Sequence, residues 1–438
     1  MFHTRIASGP LNRALVLENP DPILDEELRA CGWDVVRVPT TPDRQALTAL
    51  LQQHRPHALF KRSRVEIDAS VLEHAPDLFA VMLCCIGDDS VDKQAAAAAG
   101  VLVLNDPRSN GRSVAELVLG HILMGARRIP DAWAETRGGH WDKSSSGRFE
   151  VKGRRLGIFG LGNIGKQVAR LAESLGMEIL FYDNDEVALA VGETMDWQMA
   201  DTPEELFANS DVVTVHVSAE DRRGRTNRGL VVRDLLASLG RERPEDSPRV
   251  FINLSRGFLL DPATLLDAVK VGSVRQAFID VFLDEPAGRG SWSNPFVDEP
   301  RIHCTPHIGA ATQDAQPRIG RKMARTARLF SDKGTVEDCV FAPRQRIDVA
   351  RSAQSSHVLA VVHSDDRGTK KAVDDAIYAA GASNLQSAHR DFPRYGIAYD
   401  LSVLDRPLGA DEVRSLIQDA QQITGREDAI RAVRQIVL

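Results

Sequence analysis

Between Arg13 and Asp106 short apolar runs recur: Ala14-Leu15-Val16-Leu17, Trp33-Asp34-Val35-Val36, Ala58-Leu59-Phe60, Phe79-Ala80-Val81-Met82-Leu83 and Val101-Leu102-Val103-Leu104. Amphipathic stretches separate them. Such runs alternating with helical segments predict a parallel sheet with crossover helices. Ser113-Val114-Ala115-Glu116 reads as a capping box opening a helix through Leu117, Gly120, Ile122 and Met124 toward Arg127, a bridge into a second unit. There Arg155 to Phe159 precedes a glycine-rich turn, and strands are expected at Glu178 to Tyr182, Asp211 to Val215, Val250 to Asn253 and Ala277 to Asp280. This is a doubly wound pattern.

A helix over Pro317 to Asp332 is expected to return the chain to the first unit, which makes that unit discontinuous. Phe341 to Ser356, rich in Arg, Gln, Ser and Ala, reads as a linker. Beyond it come a strand at His357 to His363, a helix at Thr369 to Gly381, and strands at Asn384 to Arg390 and Gly396 to Val403. A helix with Val413, Leu416, Ile417, Ala420 and Ile423 on one stripe and a strand near Ala432 to Leu438 complete a βαββαβ order.

Composition narrows the class more than the chemistry. A chain of 438 residues with 43% hydrophobic and 26% charged residues is an ordinary multi-domain globular protein. A net charge of -7 argues against a nucleic-acid partner, and Arg222, Arg223 and Arg225 follow Glu220 and Asp221 in what reads as a solvated loop. Met1 to Gly9 has no signal-peptide core, and no stretch reaches the ~18 apolar residues of a membrane span, so a cytoplasmic protein without a membrane partner is expected. Five cysteines without paired spacing fit reduced thiols. His303, Cys304 and His307 invite a metal reading, but Pro306 breaks the helix that would align them, and a short strand ending in a loop is expected instead, with no metal.

The glycine turn is Gly160-Leu161-Gly162-Asn163-Ile164-Gly165, placed between a strand and a helix as dinucleotide binding requires. Gly160 permits the tight turn, Gly162 lets a pyrophosphate reach the backbone, and Gly165 lets helix and strand pack. Asp183 closes the next strand, where a carboxylate accepts ribose hydroxyls and disfavours the extra phosphate of NADP. Downstream, Arg256 follows a strand and offers a fork for a carboxylate. His307 lies in a loop after the last apolar strand, and Glu285 is placed to hydrogen-bond it. A cation for a carboxylate and an acid-base pair for a hydroxyl are the parts that hydride transfer from a hydroxy acid needs.

These motifs resemble the D-isomer-specific 2-hydroxyacid dehydrogenase family, with further matches at Cys84 to Asp92, Arg112 to Leu117, Asn253 to Gly257, Asp280 to Pro286 and Thr305 to Thr312. The resemblance covers nearly the whole chain and is strongest to members with a C-terminal ACT domain. It implies an α/β fold with two doubly wound parallel-sheet domains. A Rossmann NAD-binding domain (113–308) is inserted in a flavodoxin-like substrate domain (1–112 and 309–345), and a ferredoxin-like ACT domain follows (355–438). It further implies that Arg256, Glu285 and His307 are catalytic, that Asp280 contacts the nicotinamide amide, and that Asn163, Ile164 and His216 join the glycines and Asp183 around NAD. Arg62, Ser63, Arg64, Ile86, Gly87, Asn110 and Gln313 are implied to face the substrate, and two arginines there suit a phosphorylated acid.

The activity implied is NAD-dependent oxidation of 3-phospho-D-glycerate by a homodimer or homotetramer. Alternatives are another 2-hydroxy acid or an NAD-responsive scaffold of the corepressor type. Trp141 and Lys143 stand where relatives pack a turn near the cofactor. The tail departs from the effector-binding pattern of ACT-bearing members: His363-Ser364-Asp365-Asp366-Arg367-Gly368 puts a carboxylate where an amide would meet an amino acid, which argues against feedback inhibition by serine.

Overall fold

The computed structural model describes residues 2–221, 223–286, 290–350 and 357–437, so Arg222 of the basic loop, 351–356 of the expected linker and Leu438 of the last strand lie outside the described residues. The chain divides into two compact units, one of Met1–Ser109 with Gln316–Leu438 and one of Asn110–Ala315.

The apolar runs of the first unit become β2 (Arg13–Leu17), β3 (Asp34–Val38), β4 (Ala58–Lys61), β5 (Ala80–Leu83) and β6 (Leu102–Asn105), preceded by β1 (Arg5–Ser8). β2 to β6 form one sheet in the order β3-β2-β4-β5-β6, every pair parallel. β4 and β5 are buried along their whole length, which is why they read as unbroken apolar runs rather than as alternation. The order reverses between β2 and β4, and the loops after those strands lie where open α/β sheets take ligands.

In the second unit, β7 (Arg155–Phe159), β8 (Glu178–Tyr182), β9 (Gln198–Met199), β10 (Val212–Val215), β11 (Val250–Asn253), β12 (Gln276–Ile279) and β13 (Ile302–Cys304) form a seven-stranded sheet in the order β9-β8-β7-β10-β11-β12-β13. All of its pairs are parallel. It reverses between β7 and β10, beside the glycine turn. The helix entering this unit runs from Gly111 to Arg127 with Asn110 as its N-cap. The capping box expected at Ser113 is therefore not formed. Ser113 already lies in the first helical turn, and its hydroxyl meets Thr312 Oγ1 at 3.0 Å.

Back in the first unit, β14 (Val336–Glu337) pairs antiparallel with β15 (Arg346–Ile347). Phe341, Ala342, Ile347 and Val349 are buried in the same core as β2 to β6, so the first part of the expected linker is packed structure. Its apolar residues are too sparse to form a period, yet all of the described ones but Ala350 are buried. β16 (His357–Ser364), β17 (Asn384–Phe392), β18 (Ile397–Leu404) and β19 (Ile430–Val437) then make the βαββαβ sheet in the order β19-β16-β18-β17. One face of this sheet, with Leu359 and Val361, packs on the helices Thr369–Ala379 and Ala410–Thr424. The other, with Val358, Ala360 and Val362, joins the core under β2 to β6.

β1, absent from the sequence reading, adds to this sheet in parallel with β19. Two buried arginines tie the added edge to helix ends, whose unpaired carbonyls attract cations. Arg434 of β19 donates to the carbonyls of Phe330 (3.1 Å) and Ser331 (2.9 Å), and Arg5 of β1 donates to those of Leu72 (3.3 Å) and Ala75 (3.2 Å). Burial lowers both guanidinium groups to about 10, so both stay charged at neutral pH.

Candidate active site

At the reversal point of the second unit, the glycines divide the work sterically. Gly160 adopts φ +98, and a Cβ there would meet the His216 carbonyl oxygen at 2.7 Å. A Cβ on Gly165 would come within 2.2 Å of the Gly160 carbonyl oxygen, so the turn and the helix Gly165–Ser174 close only on glycine. Gly162 is different, because a Cβ there meets nothing within 4 Å. Its missing side chain leaves open space over the backbone at a helix N-terminus, the shape a pyrophosphate needs. Asn163 and Ile164 complete the turn, Ile164 as the residue before the helix.

Asp183 follows β8 and is fixed by the turn itself, accepting from the Leu161 amide at 2.7 Å and from Asp185 N at 2.9 Å. The carboxylate and the glycine turn therefore form one rigid cradle, which fits a dinucleotide. His216, after β10, approaches Thr214 Oγ1 at 3.0 Å, and burial lowers its imidazole to about 3, so it is neutral.

Three further loops follow β11, β12 and β13. After β11, Asn253 spans its own turn: its Nδ2 donates to the Arg256 carbonyl at 3.0 Å and its Oδ1 accepts from Ser255 N at 3.0 Å. Arg256 Nη1 donates to the Ser255 carbonyl at 2.9 Å. Gly257 is pressed against the next loop, where a Cβ would lie 2.1 Å from the Phe282 carbonyl carbon. That approach seats the Arg256 turn directly on the loop carrying Glu285.

Glu285 is held at both oxygens, by the Phe282 amide at 3.1 Å and by His307 Nδ1 at 2.7 Å. Pairing at Nδ1 assigns the proton there and directs Nε2 as the exchanging nitrogen. His307 itself sits at φ +54, a strained setting for a non-glycine residue, while His307 N donates to the Thr305 carbonyl at 3.0 Å. Asp280 maintains this loop. Its Oδ1 accepts from Thr305 Oγ1 (2.6 Å) and Ile308 N (2.9 Å), and its Oδ2 accepts from Gly309 N (2.8 Å). Burial pushes the Asp280 carboxyl above its ordinary value, against Thr305, Ile308, Gly309 and His307, which pull it down.

His303, Cys304 and His307 turn to different partners. His303 Nε2 meets Gln276 Oε1 at 2.6 Å and Cys304 Sγ meets Asn294 Oδ1 at 3.7 Å, while His307 meets Glu285. Among the described residues no group of His, Cys, Asp and Glu gathers as a metal site.

The first unit brings Arg62, Ser63 and Arg64 to the end of β4, and Ile86 and Gly87 to the loop after β5. Ser63 and Arg64 are exposed and Arg62 is half-buried. Asn110 and Gln313 belong to the second unit. Asn110 is buried with no partner at Oδ1 among the described residues, and Gln313 is exposed before the helix Ala315–Lys333. Trp141 and Lys143 lie in an exposed loop, Trp141 being 82% exposed. Asn253, Gly257 and Thr305 had no role in the sequence reading, although all stood within motifs it quoted. Their signal was a polar or glycine residue directly at a strand's end.

The seven-stranded parallel sheet, the glycine cradle and the Asp183 carboxylate define a pyridine-nucleotide-binding α/β oxidoreductase. Residues 119–309 match the family described as D-isomer specific 2-hydroxyacid dehydrogenase, NAD binding domain. The chain is 39% identical over 288 residues to the D-3-phosphoglycerate dehydrogenase of Haemophilus influenzae, covering 66% of this chain and 67% of that one. It is 33% identical over 367 residues to the D-3-phosphoglycerate dehydrogenase of Escherichia coli, covering 83% and 84%. The solved NADPH-dependent glyoxylate/hydroxypyruvate reductase of Sinorhizobium meliloti, in complex with NADP and malonate, superposes with a TM-score of 0.62 at 25% identity, over 75% of this chain and 96% of that one. The chain belongs to the D-isomer specific 2-hydroxyacid dehydrogenases. Its cofactor is NAD and its substrate a small hydroxy acid. No helix among the described residues is long and apolar enough to cross a membrane.

Proposed function

We propose that the protein oxidises 3-phospho-D-glycerate to 3-phosphohydroxypyruvate. The observation that carries this reading is the bonded pair His307–Glu285, 2.7 Å apart, on the same sheet edge as Arg256. NAD, when bound on the glycine cradle, supplies the hydride acceptor. Arg256 holds the substrate carboxylate, and His307 Nε2 takes the proton from the C2 hydroxyl. Glu285 stabilises the imidazolium that forms and keeps the ring in one tautomer. Asp280 acts on the nicotinamide amide while its carboxylate oxygens hold the His307 loop.

The phosphate is assigned to Arg62 and Arg64, with Ser63, Ile86, Gly87, Asn110 and Gln313 completing the substrate's surroundings. Two relatives named as D-3-phosphoglycerate dehydrogenases, at 39% and 33% identity, support that choice over other 2-hydroxy acids. The same reading takes the enzyme as a homodimer or homotetramer, with exposed Trp133 and Trp141 in its favour. The test is NAD reduction with 3-phosphoglycerate beside glycerate, lactate and malate. The expected result is a preference of at least about a hundredfold in kcat/KM for the phosphorylated acid, as two charge-assisted contacts would give. Equal turnover of glycerate would keep the dehydrogenase and remove the phosphate.

A further inference from the structure

Two charged side chains outside the proposed machinery are buried at the reversal point of the first unit, at the ends of adjacent strands. Glu18 directly follows β2 and Lys61 ends β4. Lys61 is fully buried, a setting that a solvating ammonium rarely occupies without a use. Its Nζ donates to the Arg62 carbonyl at 2.9 Å and to Ser90 Oγ at 2.6 Å. It therefore bridges the loop after β4 to the segment that follows Ile86 and Gly87. Glu18 works on the other side of the same loop, its Oε1 accepting from the Arg64 amide at 2.9 Å and from the Val65 amide. Glu18 Oε2 is buried with no hydrogen-bond partner among the described residues.

The second loop is held in the same manner: Asn105 Nδ2 donates to the Ile86 carbonyl at 2.7 Å and Cys85 Sγ to the Gly87 carbonyl at 3.2 Å. Burial lowers the Lys61 amine, while the nearby Glu18 charge opposes that shift. Backbone groups of the Arg62–Arg64 loop are thus anchored by buried charges, and Ser63 and Arg64 lie exposed on it.

We propose that Glu18 and Lys61 are positioning residues that preorganise the Arg62-Ser63-Arg64 loop for a phosphomonoester dianion, and so set selectivity for phosphorylated over unphosphorylated acids. This rests on the assignment of Arg62 and Arg64 to the phosphate. A loop fixed in advance does not lose conformational freedom on binding.

The experiment compares wild type, Lys61→Met, Glu18→Gln and Arg64→Ala in the full-length protein with saturating NADH. Measured are kcat and KM for 3-phosphohydroxypyruvate and for hydroxypyruvate, and inhibition by inorganic phosphate. Lys61→Met is expected to raise KM for the phosphorylated substrate and the inhibition constant of phosphate about tenfold, with kcat and the hydroxypyruvate KM within about twofold of wild type. Both KM values rising together, or neither moving, overturns the proposal. If Lys61→Met loses its cooperative melting transition, Glu18→Gln decides on the same criteria, with an expected rise of about threefold confined to the phosphorylated substrate. Arg64→Ala separates the two layers. If it leaves the preference for phosphate intact, the anion site itself is misassigned and the proposal falls with it. If it abolishes that preference while the buried variants do not, only the positioning role is lost.

Discussion

The two parallel sheets of this chain reverse their strand order in the same way but finish their reversal points with different materials. In the second unit the rim is backbone: Gly160 and Gly165 have no room for a Cβ, Gly162 leaves space above the chain, and the one carboxylate, Asp183, is bonded to the turn's own amide. In the first unit the rim is side chain: a fully buried lysine, a buried glutamate and two arginines within one short loop. The proposed function accounts for the difference by the ligand that each rim would hold. A dinucleotide is large and offers its pyrophosphate to a helix N-terminus, so the protein gains by removing its own atoms. A small acid has few atoms to grip, so selectivity must come from charged groups held in place.

The largest effect should come from neither rim but from the loop pair beside the backbone rim. His307→Ala is expected to lower kcat about a thousandfold, with NADH binding by fluorescence unchanged. Glu285→Gln keeps one acceptor oxygen for Nδ1 but turns an NH2 group toward the Phe282 amide and loses the charge, and a smaller fall of about tenfold is expected. If His307→Ala retains wild-type turnover, the acid-base role belongs to another group.

The backbone rim can be tested by adding atoms. Gly162→Ala places a methyl in open space, so the melting temperature is expected to stay within about a degree, whereas NADH affinity should fall about tenfold or more because that space is where the pyrophosphate approaches. Gly165→Ala drives its methyl into a carbonyl oxygen 2.2 Å away and should cost stability as well, about 1–3 kcal/mol. If both variants lose stability alike, Gly162 serves packing and the contrast between the two rims fails there.

Much of this is legible in the amino-acid sequence. Strands buried on both faces leave continuous apolar runs, so the two parallel sheets could be read directly, whereas the tail, whose β17 is largely exposed, was read from the order of its elements. What escaped depended on partners distant in sequence. β1 carries Arg5 at a buried position, which no apolar period reveals, because its partners are helix-end carbonyls far along the chain. Ser113 followed by Glu116 is a sound capping pattern, yet Asn110 takes the N-cap and Ser113 turns to Thr312. In the site, Gly160, Asp183, Glu285 and His307 announced themselves through motif and strand end. Asn253 acts on the backbone of its own turn and Gly257, Glu18 and Lys61 on that of adjoining loops, and backbone contacts leave little trace in a single sequence.

The smallest effect distinguishes the rims by pH. His216, next to the glycine turn, has its imidazole lowered by burial to about 3 from the ordinary 6.5. As pH falls below the ordinary value, the unfolded chain takes up this proton and the folded one does not, so the stability that neutral His216 permits is full above 6.5 and is lost on acidification. Lys61 works in the opposite direction. Its amine is lowered from 10.5, so the folded protein sheds that proton first as pH rises, and stability increases between the folded value and the ordinary one. Urea midpoints for wild type and His216→Asn should therefore converge as pH drops from about 7 to about 5, the wild type losing more, while Lys61→Met should flatten the alkaline rise and leave the acid limb alone. Parallel curves for His216→Asn and wild type would mean that the imidazole is hydrated in the folded protein and that the backbone rim holds no buried titrating group.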